Sequence, residues 1–373
     1  MTGALATSLS SLPPMDVAGR AERLRAAIGD AGADALVVTS LTNVRYLTGF
    51  TGSSGLLVLS GDDLVLVTDG RYTDQAADQL RTAGVDARIE ITSTEQRVVV
   101  TAAVAGVERI GLEAEHVTWA AQRRYESEWF PDRELIATAG LVEALRRTKD
   151  DGELARMELA AAVADAALAE LRPRLTERPT EAEFALELDA TMRRLGASRP
   201  SFETIVASGP NGARPHARPS RRPIGPGDLV VVDFGAVVDG YCSDMTRTVG
   251  VGALDPTSER MLEVVTEAQA AGVAAVAPGV AAAEVDAACR ELITAAGWGD
   301  AFSHGTGHGV GLDIHEAPRV GTTSDATLAV GDVVTVEPGV YLPSHGGVRV
   351  EDTVVVTPEG CRPLTHSTKD PAL

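Results

Sequence analysis

Positive charge is what this chain has least of. Its 33 Lys and Arg stand against 53 Asp and Glu, a formal net charge of −20. Nucleic acid and anionic membrane surfaces need basic partners, so neither is expected to bind. Cysteine is scarce as well: Cys242, Cys289 and Cys361 are odd in number, widely spaced and contain no C-x-x-C pair. That excludes a disulfide framework and a zinc ribbon, and it suits a reducing cytoplasm. No run approaches the roughly 18 apolar residues of a membrane span. Residues 1–14 lack the basic cluster and apolar segment of a signal peptide, and residues 1–15 are expected to be a disordered leader. What remains is a chain of 373 residues, 44% hydrophobic and 23% charged, the composition of an ordinary globular protein with two domains.

From residue 16 the patterning alternates between helix and strand. Helical periodicity covers 17–28, 71–83, 95–105 and 119–128, and strand-like runs cover 35–39, 56–59, 64–68, 87–91 and 109–112. This predicts an α/β domain over 16–148. Lys149-Asp150-Asp151-Gly152 is the best boundary, and 149–373 forms the second domain. It opens with two helices, 153–175 and 180–195, the latter starting in a capping box at Thr180 and Glu183. A strand at 204–207, further helices near 258–276 and 281–296, and a terminal hairpin follow.

The second domain is organised around two hairpins. Residues 229–232 form a short apolar, β-branched strand that ends on Asp233, and Asp239-Gly240 is a two-residue hairpin turn. Closing on that turn sets Asp244 opposite Gly235, with Asp233 on the same face and diagonal to it. Two carboxylates side by side on an apolar hairpin repel unless something positive lies between them. The run Gly227-Asp228-Leu229-Val230-Val231-Val232-Asp233-Phe234-Gly235 recurs as Gly331-Asp332-Val333-Val334-Thr335-Val336-Glu337-Pro338-Gly339. A loop centred near Ser344 would then set Glu351 directly across from Glu337. The domain therefore reads as two related halves, each supplying a carboxylate hairpin.

Four carboxylates make a hard, oxygen-rich site suited to Mn²⁺ or Mg²⁺, and one imidazole would tilt it toward Mn, Co, Fe or Zn. A histidine is available in His304-Gly305-Thr306-Gly307-His308-Gly309-Val310-Gly311. Its glycines exclude a helix and leave backbone room for a ligand, but do not spell a dinucleotide cradle. His116, His345 and His366 have no acidic or glycine-rich company and read as ordinary surface or core histidines. Arg349, two residues before Glu351, shares its strand face and can pair with the carboxylates.

The order Asp233, Asp244, His308, Glu337, Glu351 resembles the ligand set of the pita-bread metallopeptidases, which include methionine aminopeptidase, aminopeptidase P and prolidase. Asn43–Ser53 and Asp69-Gly70-Arg71-Tyr72 resemble the N-terminal domain of the Xaa-Pro peptidases and creatinase. His304–Gly311, Val336-Glu337-Pro338-Gly339 and Gly347-Val348-Arg349-Val350-Glu351-Asp352 are similar to family motifs. The resemblance implies a creatinase-like α/β domain followed by an α+β pita-bread domain with an internal pseudo-twofold repeat. It implies two divalent ions per subunit, Mn foremost with Co, Zn or Fe as alternatives. Asp233 would chelate one ion, Asp244 and Glu351 would bridge both, and His308 with Glu337 would complete the second. By the same resemblance Glu337 handles the proton of the attacking water, and His216 and His315 donate to the substrate carbonyl. His304 walls the substrate pocket and Arg349 positions the carboxylates or the substrate. The implied activity is removal of an N-terminal residue preceding proline, with cleavage of X-Pro dipeptides as the alternative and a non-catalytic peptide adaptor as a remote one. A homodimer is implied too, with 43–53 as the segment reaching toward the second subunit.

Overall fold

A computed structural model describes residues 11–373. Most of the expected leader, residues 1–10, lies outside the described residues. At its end, the Pro13 carbonyl accepts a hydrogen bond from Arg156 Nη1 at 3.0 Å. The chain divides into two compact units between Arg146 and Arg147, slightly before the expected boundary. The polar run after it opens a helix: Asp150 caps Asp151–Leu171, with Glu153 returning the bond in a capping box.

The unit Pro14–Arg146 is built on a mixed sheet. Its strands lie in the order Arg88–Ile91, Asp63–Thr68, Leu56–Ser60, Ala35–Val38, Arg109–Glu113, Glu134–Thr138. Ala35–Val38 sits inside that order and is buried throughout, which its unbroken apolar run anticipates. Three elements were not foreseen: the helix Leu41–Thr48, the strand Glu134–Thr138 and the helix Leu141–Arg147. The first is held by a distant carboxylate. Glu113 Oε2 accepts from Thr39 N at 2.5 Å and Ser40 N at 2.8 Å, and so serves the open N-terminal end of that helix. Glu113 Oε1 accepts from Asn43 Nδ2 at 2.7 Å. Asn43, Val44, Tyr46 and Leu47 are buried, while Thr51 and Ser53 further along the segment 43–53 are exposed. His116, read as lacking acidic company, bonds Glu143 at 3.0 Å.

The unit from Arg147 onward repeats one plan twice. In the first half, helices Asp151–Leu171 and Glu181–Arg194 pack through Ala164, Leu168, Phe184 and Leu188 onto strands Ile205–Ser208, Leu229–Phe234 and Met245–Gly250. In the second, helices Pro256–Ala275 and Ala282–Ala295 pack through Val265, Ala268, Val285 and Cys289 onto strands Val333–Val336 and Asp352–Thr357. The capping box at Thr180 is present as the sequence predicts.

Both hairpins keep the predicted register. Asp233 pairs with Thr246 and Phe234 with Met245, and the turn is made by Asp239 (φ 43°) and Gly240 (φ 79°). Positive φ at both central residues is the type I′ turn that a right-twisted hairpin prefers. In the second hairpin Val336 pairs with Asp352 and Gly339 with Arg349, around a turn carrying Ser344 at φ 64°. Glu337 and Glu351 thus face each other. The glycine in the repeated motif is needed for close approach, because a Cβ on Gly235 would lie 1.9 Å from the Ser243 carbonyl oxygen.

Candidate metal centre

The two hairpins meet along their carboxylate edges. Thr246 Oγ1 donates to Glu351 Oε2 at 2.7 Å, Glu351 N donates to Thr246 O at 3.1 Å, and Thr353 Oγ1 donates to Asp244 O at 2.8 Å. Asp233 and Asp244 from the first half are thereby brought beside Glu351 from the second, with one oxygen from each of the three lying within 4.8 Å of the others. Glu337 joins through His308, whose Nε2 stands 3.5 Å from Glu337 Oε1 and 3.6 Å from Asp244 Oδ2. Two overlapping sets result: Asp233, Asp244 and Glu351, and Asp244, His308 and Glu337.

The strand Gly307–Gly309 carries His308, and its glycines have a different purpose from the one expected. A Cβ on Gly307 would come 2.0 Å from Thr335 O, and one on Gly309 would come 2.2 Å from Ala317 O. The space belongs to the neighbouring strands, not to a ligand. Squeezing the strand between its neighbours fixes the ring of His308. His308 Nδ1 lies 3.0 Å from Gly309 O. Burial lowers its pKa to about 4, so the ring is neutral at pH 7 and Nδ1 carries the proton that this bond needs. Its contacts with Asp244 and Glu337 are therefore not ion pairs. They leave the Nε2 lone pair facing carboxylate oxygens.

Arg349 is the one cation inside the cluster among the described residues. Its Nη2 donates to Asp233 Oδ2 at 2.5 Å, its Nη1 to Tyr341 Oη at 2.7 Å and to Pro215 O at 3.2 Å. Burial opposes its charge, yet Tyr341, Asp233 and Glu337 hold the guanidinium protonated. One positive charge against four carboxylates leaves the rest unsettled. Burial, followed by the charges of Glu351, Asp233 and Glu337, drives the Asp244 pKa well up. Burial and the charges of Glu337 and Asp233 do the same to Glu351. Burial pushes Glu337 up to about 8 against the pull of Arg349. Glu351 Oε1 is buried without a hydrogen-bond partner. An orphaned carboxylate oxygen, mutually repelling acids and an imidazole lone pair aimed among them together fit a divalent cation.

That arrangement has a measurable consequence without any metal. A carboxyl whose folded pKa exceeds its unfolded value, about 4, takes up protons on folding, so its stabilisation is lost as pH rises toward the folded pKa. His304 and His308, lowered to about 4 each, act in the opposite sense up to roughly pH 6.5. Above that only the acids remain, to about pH 8 for Glu337. Metal-free protein should lose melting temperature between pH 6.5 and 8, and saturating divalent metal should abolish the slope. A flat profile in chelator would contradict this electrostatic account.

The three other expected histidines gather at one side. His304 Nε2 bonds Tyr341 Oη at 2.9 Å, and burial lowers its pKa to about 4. His315 stacks edgewise on His308, ring centroids 4.4 Å apart. His216 is exposed; burial, followed by the charge of His216, lowers the pKa of His315, and Pro215 beside it touches Arg349. Sequence reasoning missed Tyr341, which joins Arg349 to His304. The hairpin register contained the signal, since Tyr341 shares a strand face with Gly339, the partner of Arg349. It also missed Lys149, whose Nζ makes a buried 3.2 Å ion pair with Glu316, next to His315.

Residues 155–358 match Metallopeptidase family M24 and residues 20–148 match the Creatinase/Prolidase N-terminal domain. The chain is 44% identical to the uncharacterized peptidase YqhT of Bacillus subtilis (strain 168), over 94% of this chain and 98% of that protein. Among solved structures it resembles an Xaa-Pro dipeptidase from Bacillus anthracis (TM-score 0.91, 39% identity, 95% of this chain and 99% of that one). It also resembles an X-Pro aminopeptidase from Thermotoga maritima MSB8 (TM-score 0.86, 34% identity, 95% and 100%). Its paired carboxylate hairpins are those of a pita-bread domain behind a creatinase-like one, and the chain belongs to metallopeptidase family M24.

Proposed function

We infer that this chain is a metal-dependent exopeptidase that hydrolyses the bond between an N-terminal residue and a following proline. The observation that carries the reading is the convergence of four carboxylates from two hairpins around His308, with Glu351 Oε1 left without a partner. Asp233, Asp244, His308, Glu337 and Glu351 would hold two divalent ions, which we assign as Mn²⁺ ahead of Co²⁺, Zn²⁺ or Fe²⁺. Such ions, when bound, activate a water near neutral pH and polarise the scissile carbonyl.

The chain's own groups do the rest. Glu337, beside His308 at the edge of the cluster, is the carboxylate we assign to accept a proton and return it to the leaving nitrogen. His216 and His315, both exposed at the mouth of the site, donate to the carbonyl oxygen as charge develops on it. His304, fixed by Tyr341, walls the pocket beyond the cut bond, and Arg349 holds Asp233 and the Pro215 backbone in register. An X-Pro bond has no N–H and a rigid ring, so a peptidase that grips substrate through that N–H fails on it. A site that seats the ring among imidazoles does not need the grip.

Removal of metal should abolish activity, and restoring Mn²⁺, Co²⁺ or Zn²⁺ singly should rank the ions. Activity that survives exhaustive chelation would sink the assignment. The second reading is an X-Pro dipeptidase, favoured by the likeness to the Bacillus anthracis enzyme. Turnover of Ala-Pro against Ala-Pro-Pro separates the two, because a dipeptidase leaves the tripeptide intact. We further place the protein in the cytoplasm, with three cysteines unpaired, and as a homodimer. A solution mass of 38.8 kDa, that of one chain, would reject the dimer.

A further inference from the structure

One stretch of this acidic chain carries arginines and no acid. Between Thr204 and Gly227 there is no Asp or Glu, while Arg214, Arg218, Arg221 and Arg222 all fall there. Only Arg222 is well paired, through 2.6 Å to Asp228. Arg218 has one loose 3.6 Å contact with Glu203, the two side chains 84% and 70% exposed. Arg214 and Arg221 are exposed and have no ion pair among the described residues.

The segment is stiff and it lies against the metal centre. A single buried carboxylate, Glu181, clamps both of its ends, taking Ser208 N at 2.7 Å and Asn211 Nδ2 at 3.1 Å on one side and Ser220 N at 3.0 Å on the other. Prolines at 215, 219 and 223 fix φ between the arginines. Ala217 packs on Ile205 and Ala207, turning Arg218 outward. Pro215 O bonds Arg349, which holds Asp233, and His216 acts electrostatically on His304 and His315. Arg214 and Arg218 thus lie one and three residues from Pro215, which touches the site, and Arg221 follows the Ser220 anchor, on a chain that is otherwise strongly acidic.

We propose that Arg214, Arg218 and Arg221 form a carboxylate-binding strip that selects peptides carrying acidic residues after the proline. The proposal rests on the exopeptidase reading for its substrate, but not for its binding chemistry. Three guanidiniums exceed what one C-terminal carboxylate can engage, and bidentate guanidinium–carboxylate pairing is the natural recognition mode. The long-range field of the acidic protein repels such peptides everywhere else.

The test is calorimetric binding to the metal-loaded full chain, at low salt, of Ala-Pro-Glu-Glu-amide, Ala-Pro-Lys-Lys-amide, Ala-Pro and Ala-Pro-amide, with turnover followed in parallel. The glutamyl peptide should bind about tenfold tighter than the lysyl one, its two carboxylates pairing with exposed guanidiniums of the strip. That preference should collapse in 1 M NaCl and vanish in the triple variant R214Q/R218Q/R221Q, whose melting temperature stays unchanged. Equal affinity for the two peptides, or a preference that survives the triple variant, overturns the proposal. A preference confined to Ala-Pro over its amide likewise overturns it, because the strip would then read the chain terminus and not acidic side chains. Selective binding without turnover of any peptide would defeat the exopeptidase reading and leave the strip standing.

Discussion

Asp244→Asn should abolish turnover while making the metal-free protein more heat-stable. Asp244 belongs to both ligand sets, with Asp233 and Glu351 on one side and His308 and Glu337 on the other. Its backbone carbonyl is tied to Thr353 and is untouched by the change. Asparagine keeps the shape but removes a charge that burial and three neighbouring acids already resist. In the absence of metal that charge is a liability. With metal it would be a shared ligand, and losing it should remove bound metal and at least three orders of magnitude in kcat/KM, about 4 kcal/mol of transition-state stabilisation. Metal analysis, kinetics and thermal melts of one preparation decide the matter. Full metal content with full activity would dismiss the two-ion site, and a lower metal-free melting temperature would dismiss the repulsion account.

His216→Ala should act on rate alone. The side chain is exposed on a segment whose anchors are Glu181, Ala217 and the Pro215 carbonyl, none of which depends on the imidazole. Removing a donor aimed at a developing oxyanion costs about 3 kcal/mol, or two orders of magnitude in kcat. Metal content and melting temperature should not move. If metal is lost with the histidine, its role is structural and the donor assignment falls to His315 alone.

Much of the site could be read from the chain because its logic is local. A two-residue Asp-Gly turn fixes strand register, and register fixes which carboxylates share a face; Ser344 does the same for the second hairpin. The pairs Asp233–Thr246 and Gly339–Arg349 follow from those turns alone. What stayed hidden depends on partners far away in sequence. Leu41–Thr48 holds Thr, Asn, Val and Tyr, weak helix formers, and becomes helical with the help of Glu113, some seventy residues on. The glycines around His308 were misread because the strands that crowd them, Glu316–Val320 and Val333–Val336, are not visible from the segment itself. Tyr341 was within reach of the register argument and was missed only because it is neither acid nor imidazole.

The duplicated plan of the second unit bears on how the site is assembled. Each half folds its own pair of helices over its own strands, and each brings two carboxylates that repel within the half. Only the short connection between Gly250 and Pro256 keeps the halves together as one chain. Joined, the halves meet at an effective concentration set by a few residues of tether. Cut there, they would have to meet by diffusion, and affinity for metal would become a function of protein dilution.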